Sequence, residues 1–400
     1  MERLRDVFSC LGFTRRQYLT ITNNINNLKN FSDLGVAPQF IKALTEKKIL
    51  VPTEIQEKSI PYLLSIGNDF IGQAPTGTGK TAAFGLPLLN FVNHKAPVIQ
   101  ALILCPTREL GQQIAQQLFH YTKYSEKIFV EAVYGGENID LQISRLRRTT
   151  HILVATPGRL LELVDKKIVS LENVAKVVMD EADEMLSLGF KKDLDRILKM
   201  TSQGGAKTWL FSATMPDEIK AIINKYLSPK AIKVEVIHKT RSNKDITHQY
   251  LVCTEGEKFP FLLHFLNGQG ANRGVIFCKT KEATKLLIEQ LQAKKISADA
   301  LHGDMLQIER NKVMRAFKNE KLKILVATDL AARGIDVAGL AYVVHYQIPD
   351  KVEYYLHRSG RTGRAGQKGL ALSFITEKEF KSFKFIEKAL GLSIDRIKVK

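Results

Sequence analysis

The 400-residue chain has only four cysteines, and Cys10, Cys105, Cys253 and Cys278 stand far apart with no Cys-x-x-Cys pair. That spacing argues against a disulfide framework and a structural zinc site, and fits a reducing compartment. The nine histidines show no ligand spacing either. No apolar run approaches the ~20 residues of a membrane span. The opening "MERLRDVFSCLGF" has neither the apolar length nor the small-residue cleavage site of a signal peptide. A cytoplasmic protein is expected. Acids are in deficit, 41 Asp+Glu against 59 Lys+Arg, which leaves a formal charge of +18. A field of that sign favours polyanions, meaning nucleic acid or an anionic surface. Composition is otherwise that of a globular protein, 44% hydrophobic and 25% charged. Four hundred residues exceed what one core usually organises, so two domains are expected.

Short apolar runs recur between helical stretches: "DFIGQA", "ALILC", "HILVA", "AKVVMD" and "TWLFS", then "GVIFC", "KILVAT", "YVVHY" and "GLALSFI". They are apolar on both faces, as parallel strands covered by helices are. The fold class predicted is α/β, with two tandem domains, each a mostly parallel sheet flanked by helices. "HKTRSNKD", between "AIKVEVI" and "THQYLV", reads as a short linker. The boundaries follow: a lead-in over 1–30, a first domain over 31–236, a linker over 237–246 and a second domain over 247–400.

"VVMDEADEML", residues 177–186, drives an apolar run straight into four carboxylates. Packed carboxylates repel and lose hydration, so they need a cation, a proton task or open solvent. "IGQAPTGTGKT" supplies the context. Its glycines let backbone N–H groups wrap a phosphate, Lys80 reaches the β/γ-phosphates, and the Thr81 hydroxyl can ligate Mg²⁺. Ala74 stands where the general phosphate-loop pattern has its first glycine. In such domains an acid ending a second strand completes the Mg²⁺ site, which is a place for Asp180. Glu181 beside it would polarise the attacking water. Glu184 is expected in solvent.

Asp180-Glu181-Ala182-Asp183 after "QAPTGTGKT" resembles the DEAD-box ATP-dependent RNA helicases of helicase superfamily 2. The ordered set "FSDLG", "VPTEIQ", "APTGTGKT", "PTREL", Gly135-Gly136, "TPGRL", "DEAD" and "SAT" carries the resemblance, with "VIFCKT", "QIER", "ATDLAARGID" and "HRSGRTGRAG" in the second half. It implies RecA-like domains, a magnesium-dependent ATPase and an RNA partner. By the same resemblance, Gln56 reads the adenine edge, Phe31 stacks on the base and Thr53 holds the pocket. Ala74, Pro75, Thr76, Gly77, Thr78, Gly79, Lys80 and Thr81 cradle the phosphates. Lys48-Ile49 stand where the family usually shows glycine and an aromatic, so packing beneath the adenine is expected to differ. Ser212 and Thr214 bond back to Asp183. Arg361 and Arg364 become arginine fingers from the second domain. Gly334 and Asp336 close over the nucleotide, and His357 joins the interface network.

The remaining motifs imply a sequence-independent grip on single-stranded RNA. On the first domain it uses Pro106, Thr107, Arg108, Gly136, Thr156, Gly158 and Arg159, and on the second Gln307, Arg310, Thr328 and Asp329. Hydroxyls, backbone N–H groups and guanidiniums suit phosphate and sugar rather than base edges. ATP-driven domain closure and local, non-processive unwinding or RNA–protein remodelling are the implied activities. An ATP-gated RNA clamp and a superfamily 2 DNA helicase are the alternatives. A monomer is expected, with RNA-decay or other RNA–protein partners. No room is foreseen for a further RNA-binding domain after the last helical segment.

Overall fold

The computed structural model describes residues 30–65, 68–75, 77–236, 245–332, 340–363 and 367–397. Thr76, Gly334, Asp336 and Arg364 lie outside them, as do 1–29 of the lead-in and 237–244 of the expected linker. The chain divides into two compact units, the first ending at Ile237 and the second starting at His238.

The first unit is built on a seven-stranded sheet: β1 (Phe70–Gln73), β2 (Ala101–Leu104), β3 (Val130–Val133), β4 (Ile152–Ala155), β5 (Lys176–Met179), β6 (Lys207–Ser212) and β7 (Ile232–Glu235). The order is β3-β4-β2-β5-β6-β1-β7, with every pair parallel. Alternation of side chains sorts each strand between two cores. Ile103, Val154, Val178, Trp209 and Phe211 face one layer of helices with Phe84 and Ile114. Leu102, Leu153, Val177, Met179 and Leu210 face the other with Leu160, Leu194 and Ile219. Both faces are covered, which is why these runs are apolar throughout.

The second unit repeats the plan with β8 (Ile246–Val252), β9 (Gly274–Cys278), β10 (Ala298–Leu301), β11 (Ile324–Thr328), β12 (Tyr342–His345), β13 (Gly369–Ile375) and β14 (Asp395–Arg396). Its order, β10-β11-β9-β12-β13-β8-β14, is the same permutation as the first, and again all parallel.

Three helices stop on one tripeptide: Lys47-Lys48-Ile49, Lys166-Lys167-Ile168 and Lys294-Lys295-Ile296. In each, the middle lysine is left-handed, with φ 58°, 57° and 60°. Its N–H returns to the carbonyl three residues back, and the isoleucine N–H returns five back, to Leu44, Leu163 and Leu291. That is the Schellman stop, usually built on glycine. Lys48 thus keeps the backbone a glycine would adopt, and half-buried Ile49 packs on the core beside it.

Candidate active site

The C-terminal ends of β5, β6 and β1, three neighbours in the sheet, carry the candidate ATP residues. After β1 the chain enters the phosphate loop. Gly77 and Gly79 have φ of 81° and 85°, which only glycine adopts without strain. A Cβ on Gly79 would stand 2.3 Å from Gln56 Nε2. Gln56 Nε2 donates to Gly79 O at 3.0 Å, and its Oε1 accepts the Thr53 N–H at 2.9 Å. The Thr53 hydroxyl donates to Thr78 O at 2.7 Å. The element expected to read adenine and the loop are therefore tied together. Buried Lys80 donates to Ala74 O at 3.0 Å. Ala74 is itself buried and its N–H bonds Ser212 O. Its φ is not positive, so the departure from glycine costs nothing here.

Phe31 is 2% exposed and belongs to the apolar core, which leaves almost none of its ring open to a base.

β5 runs into Asp180, whose N–H extends the ladder to Leu104 O at 2.9 Å. Burial pushes the Asp180 carboxyl up to about 7, opposed chiefly by Lys80 and reinforced by Glu181. Glu181 has φ 51°. Among the described non-glycine residues with positive φ, Lys48, Lys167, Lys295 and Glu320 are helix stops, while Glu181 begins the helix Ala182–Ser187. A left-handed L-residue there costs roughly 1–2 kcal/mol, the kind of strain that gathers at functional sites. Asp183 Oδ2 accepts from Thr214 N–H at 2.9 Å and from its hydroxyl at 2.7 Å. The Asp183 N–H donates to Ser212 Oγ at 3.3 Å. The ends of β5 and β6 are thereby locked. Glu184, expected in solvent, is 3% exposed instead, because the short helix turns it inward.

The other three neighbours, β3, β4 and β2, carry the candidate RNA residues. Pro106 and Thr107 follow β2, and Thr107 Oγ1 caps the next helix by accepting the Leu110 N–H. Gly136, after β3, has φ 81°, and a Cβ on it would stand 2.5 Å from Arg108 Nη1. Thr156 follows β4 and precedes the helix Pro157–Asp165, which carries Gly158 and Arg159. Arg159 donates twice to Glu137 O, at 3.2 and 3.1 Å. Fully buried Gln142 holds Tyr134 N–H and O, and it donates to Glu137. This brace of the Gly135-Gly136 turn was not foreseen, and nothing in the spacing marks Gln142.

In the second unit, Gln307 and Arg310 open the helix Gln307–Lys318 after β10, while Thr328 ends β11 and Asp329 follows it. Arg310 is buried and donates to His302 O and Ala331 O. Asp329, expected at RNA, instead forms a two-pronged ion pair with Arg358 at 2.5 and 2.7 Å. Arg358 also reaches Gln347 O and lies over the Phe277 ring. A carboxylate held this way braces the arginine-bearing helix Val352–Ser359, a role the motif spacing does not reveal. Buried Arg361 donates from Nε to the carbonyl of half-buried His357.

The family model described as DEAD/DEAH box helicase matches residues 53–222, and that for the helicase conserved C-terminal domain matches 257–366. A Bacillus cereus protein named DEAD-box ATP-dependent RNA helicase CshA is 40% identical over 371 residues, 92% of this chain and 70% of that protein. The chain belongs to the DEAD-box ATP-dependent RNA helicases. The structure of S. cerevisiae Dbp5 bound to RNA and ADP BeF3 is similar with a TM-score of 0.84 at 31% identity, covering 92% of this chain and 96% of that one. Mss116p bound to ssRNA and AMP-PNP gives 0.85 at 27% identity, over 94% and 81%. The two sheets are the tandem RecA-like domains of this DEAD-box family.

Among the described residues no three carboxylate, histidine or cysteine side chains gather as a metal cage, and no helix is long and apolar enough to cross a membrane. A Mg²⁺ ion would need no such cage, since it keeps its waters and takes one or two protein oxygens plus phosphates. Buried Asp180, raised by desolvation, fits that cation, because a nearby positive charge restores its ionised form.

Proposed function

We propose that the chain hydrolyses ATP in response to RNA and uses the cycle to separate short RNA duplexes or remodel RNA–protein particles. The reading is supported above all by the division of one sheet edge. Three adjacent strand ends carry the phosphate loop and the acids, and the next three carry hydroxyl, glycine and guanidinium groups suited to a phosphate chain. The two groups meet where β2 pairs with β5.

In this reading the loop from Ala74 to Thr81 holds the phosphates, and Lys80 neutralises the β/γ oxygens. Thr81 and Asp180 would hold Mg²⁺, which when bound offsets charge between those oxygens. Glu181 orients and deprotonates the attacking water. Arg361 and Arg364 add guanidiniums from the second unit to charge growing in the transition state. Gln56, with Thr53, recognises adenine, while Gly334 and Asp336 meet the ribose. Asp183, Ser212, Thr214 and His357 transmit nucleotide state. Since Lys80 and Arg361 belong to different units, turnover requires residues 31–236 and 247–400 to come together about 237–246. ATP and RNA then strengthen each other's binding by favouring that joined form. A cytoplasmic monomer recruited by RNA–protein partners is the proposed form.

Phosphate release with and without RNA, together with strand displacement on short and long duplexes, tests the proposal. RNA-stimulated release with displacement of short duplexes only is the expected result. Release that ignores RNA, or unwinding of long duplexes by single molecules, would overturn it.

A further inference from the structure

We infer that the outer flank of the helix Gln307–Lys318 is a second RNA surface, which holds the phosphate chain after it leaves the groove at Gln307 and Arg310. The inference rests on the RNA reading above and extends it beyond the motif residues. Lys312, Arg315 and Lys318 are exposed and spaced three apart, so they share one flank of a helix about 18 Å long. Lys321 and Lys323 continue the stripe in the loop before β11. Only two acids lie in residues 307–323, and both are engaged. Glu309 accepts the Leu306 N–H at 3.0 Å, and Glu320 pairs with Arg273 at 2.9 Å. Among the described residues, Lys312, Arg315 and Lys318 have no acid within ion-pair distance.

The first unit supplies a control. Its counterpart, the helix Ile139–Leu146 after edge strand β3, carries a single cation on its own turns, Arg145, which Glu131 and Glu137 neutralise, while Arg147 and Arg148 lie exposed just past its end. In the second unit the equivalent charges stay open. Ile308, 82% exposed at the head of the helix, offers apolar surface to the ribose or base leaving the groove. A stripe that is basic, uncompensated and continuous with a phosphate-binding motif is complementary to a polyanion rather than to a mixed protein surface.

The test is a full-length triple variant, Lys312→Gln, Arg315→Gln and Lys318→Gln, beside a control of equal charge change, Lys294→Gln, Lys378→Gln and Lys381→Gln. Binding is measured to a single strand just long enough for the groove and to one longer at both ends. On the long strand the variant's salt dependence should flatten by about two in log–log slope, from ~0.7 per lost phosphate contact. Raising salt fourfold then weakens the wild type about twentyfold more than the variant. Short-strand affinity, turnover at saturating RNA and the control should be unchanged. Equal slopes on the long strand overturn the inference, and so does an equal loss on both strands. A flank that binds a protein instead would leave both RNA affinities intact, which also overturns it. If the triple variant misfolds, photocrosslinking of thiouridine-bearing long RNA to wild-type protein decides, since absence of adducts in residues 311–323 refutes the surface. Failure of RNA to stimulate wild-type turnover would count against the proposed function itself, whereas stimulation with unchanged slopes counts against this surface alone.

Discussion

The two units share a strand permutation and differ at the end of the strand that begins each sheet. β1 opens into a loop with two left-handed glycines before its helix, and buried Lys80 makes no ion pair among the described residues. β8 passes through Cys253 and Thr254 straight into the helix Glu255–Asn267. Glu257 takes the Thr254 N–H and hydroxyl at 2.8 Å each. Fully buried Lys258 is held by Glu255 at 2.8 Å and Glu379 at 3.4 Å. A helix N-terminus attracts anions, but in the second unit the chain's own carboxylates occupy that role. One fold thus leaves the proposed phosphate loop open in one copy and fills the equivalent helix start with carboxylates in the other, which is why function has to be argued from loops rather than from topology.

The sharpest way to break this comparison is to remove each lysine. Lys80→Ala should cut RNA-stimulated ATP turnover about a thousandfold, since it removes charge aimed at the transferred group. Glu181→Gln should lose about as much by removing the base. Lys258→Met should leave turnover within a few-fold, because Lys258 holds the chain's own carboxylates rather than a phosphate, and Glu255 and Glu379, 69% and 22% exposed, keep contact with water when it is removed. Comparable turnover losses from Lys258→Met and Lys80→Ala would erase the distinction between the copies.

Glycines give the next contrast. Gly79→Ala sets a Cβ against Gln56 and strains a left-handed turn, so nucleotide affinity measured by titration should fall at least tenfold, about 1.4 kcal/mol. Gly256, in the helix after β8, has nothing within reach of a Cβ. Gly256→Ala should instead raise the stability of the second unit by about 0.5–1 kcal/mol.

These contrasts also show what could be read in the chain. The central strands other than β8, whose Thr247 is exposed, were legible because both faces are buried and the runs are apolar without a break. β3, β10 and β14, which no such run announced, are all sheet edges. An edge strand packs on fewer neighbours and admits polar residues, as Glu131 and Asp299 show. The residues proposed for ATP stand out as motifs, and those described gather at the ends of β1, β5 and β6. The bracing was not legible: the Asp329–Arg358 pair, the Gln142 brace and the burial of Glu184 depend on which side chains the fold turns inward.

Acid should separate the units in opposite directions. In the first, Asp180 is raised to about 7 by burial. Its folded form binds a proton more tightly than the unfolded chain does, so the stability this group contributes is greatest in acid and is lost as pH rises through about 7. His151 and Glu137, both lowered, act the other way. In the second, burial holds His248 down to about 4 and His345 well below its usual value. Stability there is present above about 6.5 and is lost as pH falls towards 4, on the order of 3 kcal/mol from His248 alone. Hydrogen exchange on nucleotide-free protein at pH 7 and 5 should show β5 more protected and β12 less protected at the lower value. His248→Phe should reduce the second effect and leave the part due to His345. Parallel changes in both units would contradict the assignment.

The smallest expected effect treats the units alike. Lys48, Lys167 and Lys295 occupy the same left-handed position in the same stop, two in the first unit and one in the second. Glycine relieves the steric cost of that conformation, roughly 1–2 kcal/mol, but gives part of it back as unfolded-chain entropy. Lys48→Gly, Lys167→Gly and Lys295→Gly should each stabilise their unit by about 0.5–1 kcal/mol in denaturant titrations followed by exchange. Lys167→Gly and Lys295→Gly should leave turnover unchanged. Lys48→Gly also tests the adenine element: an unchanged nucleotide affinity means that Lys48 already supplies the glycine backbone there, whereas a gain means that strain at this stop is transmitted to Gln56.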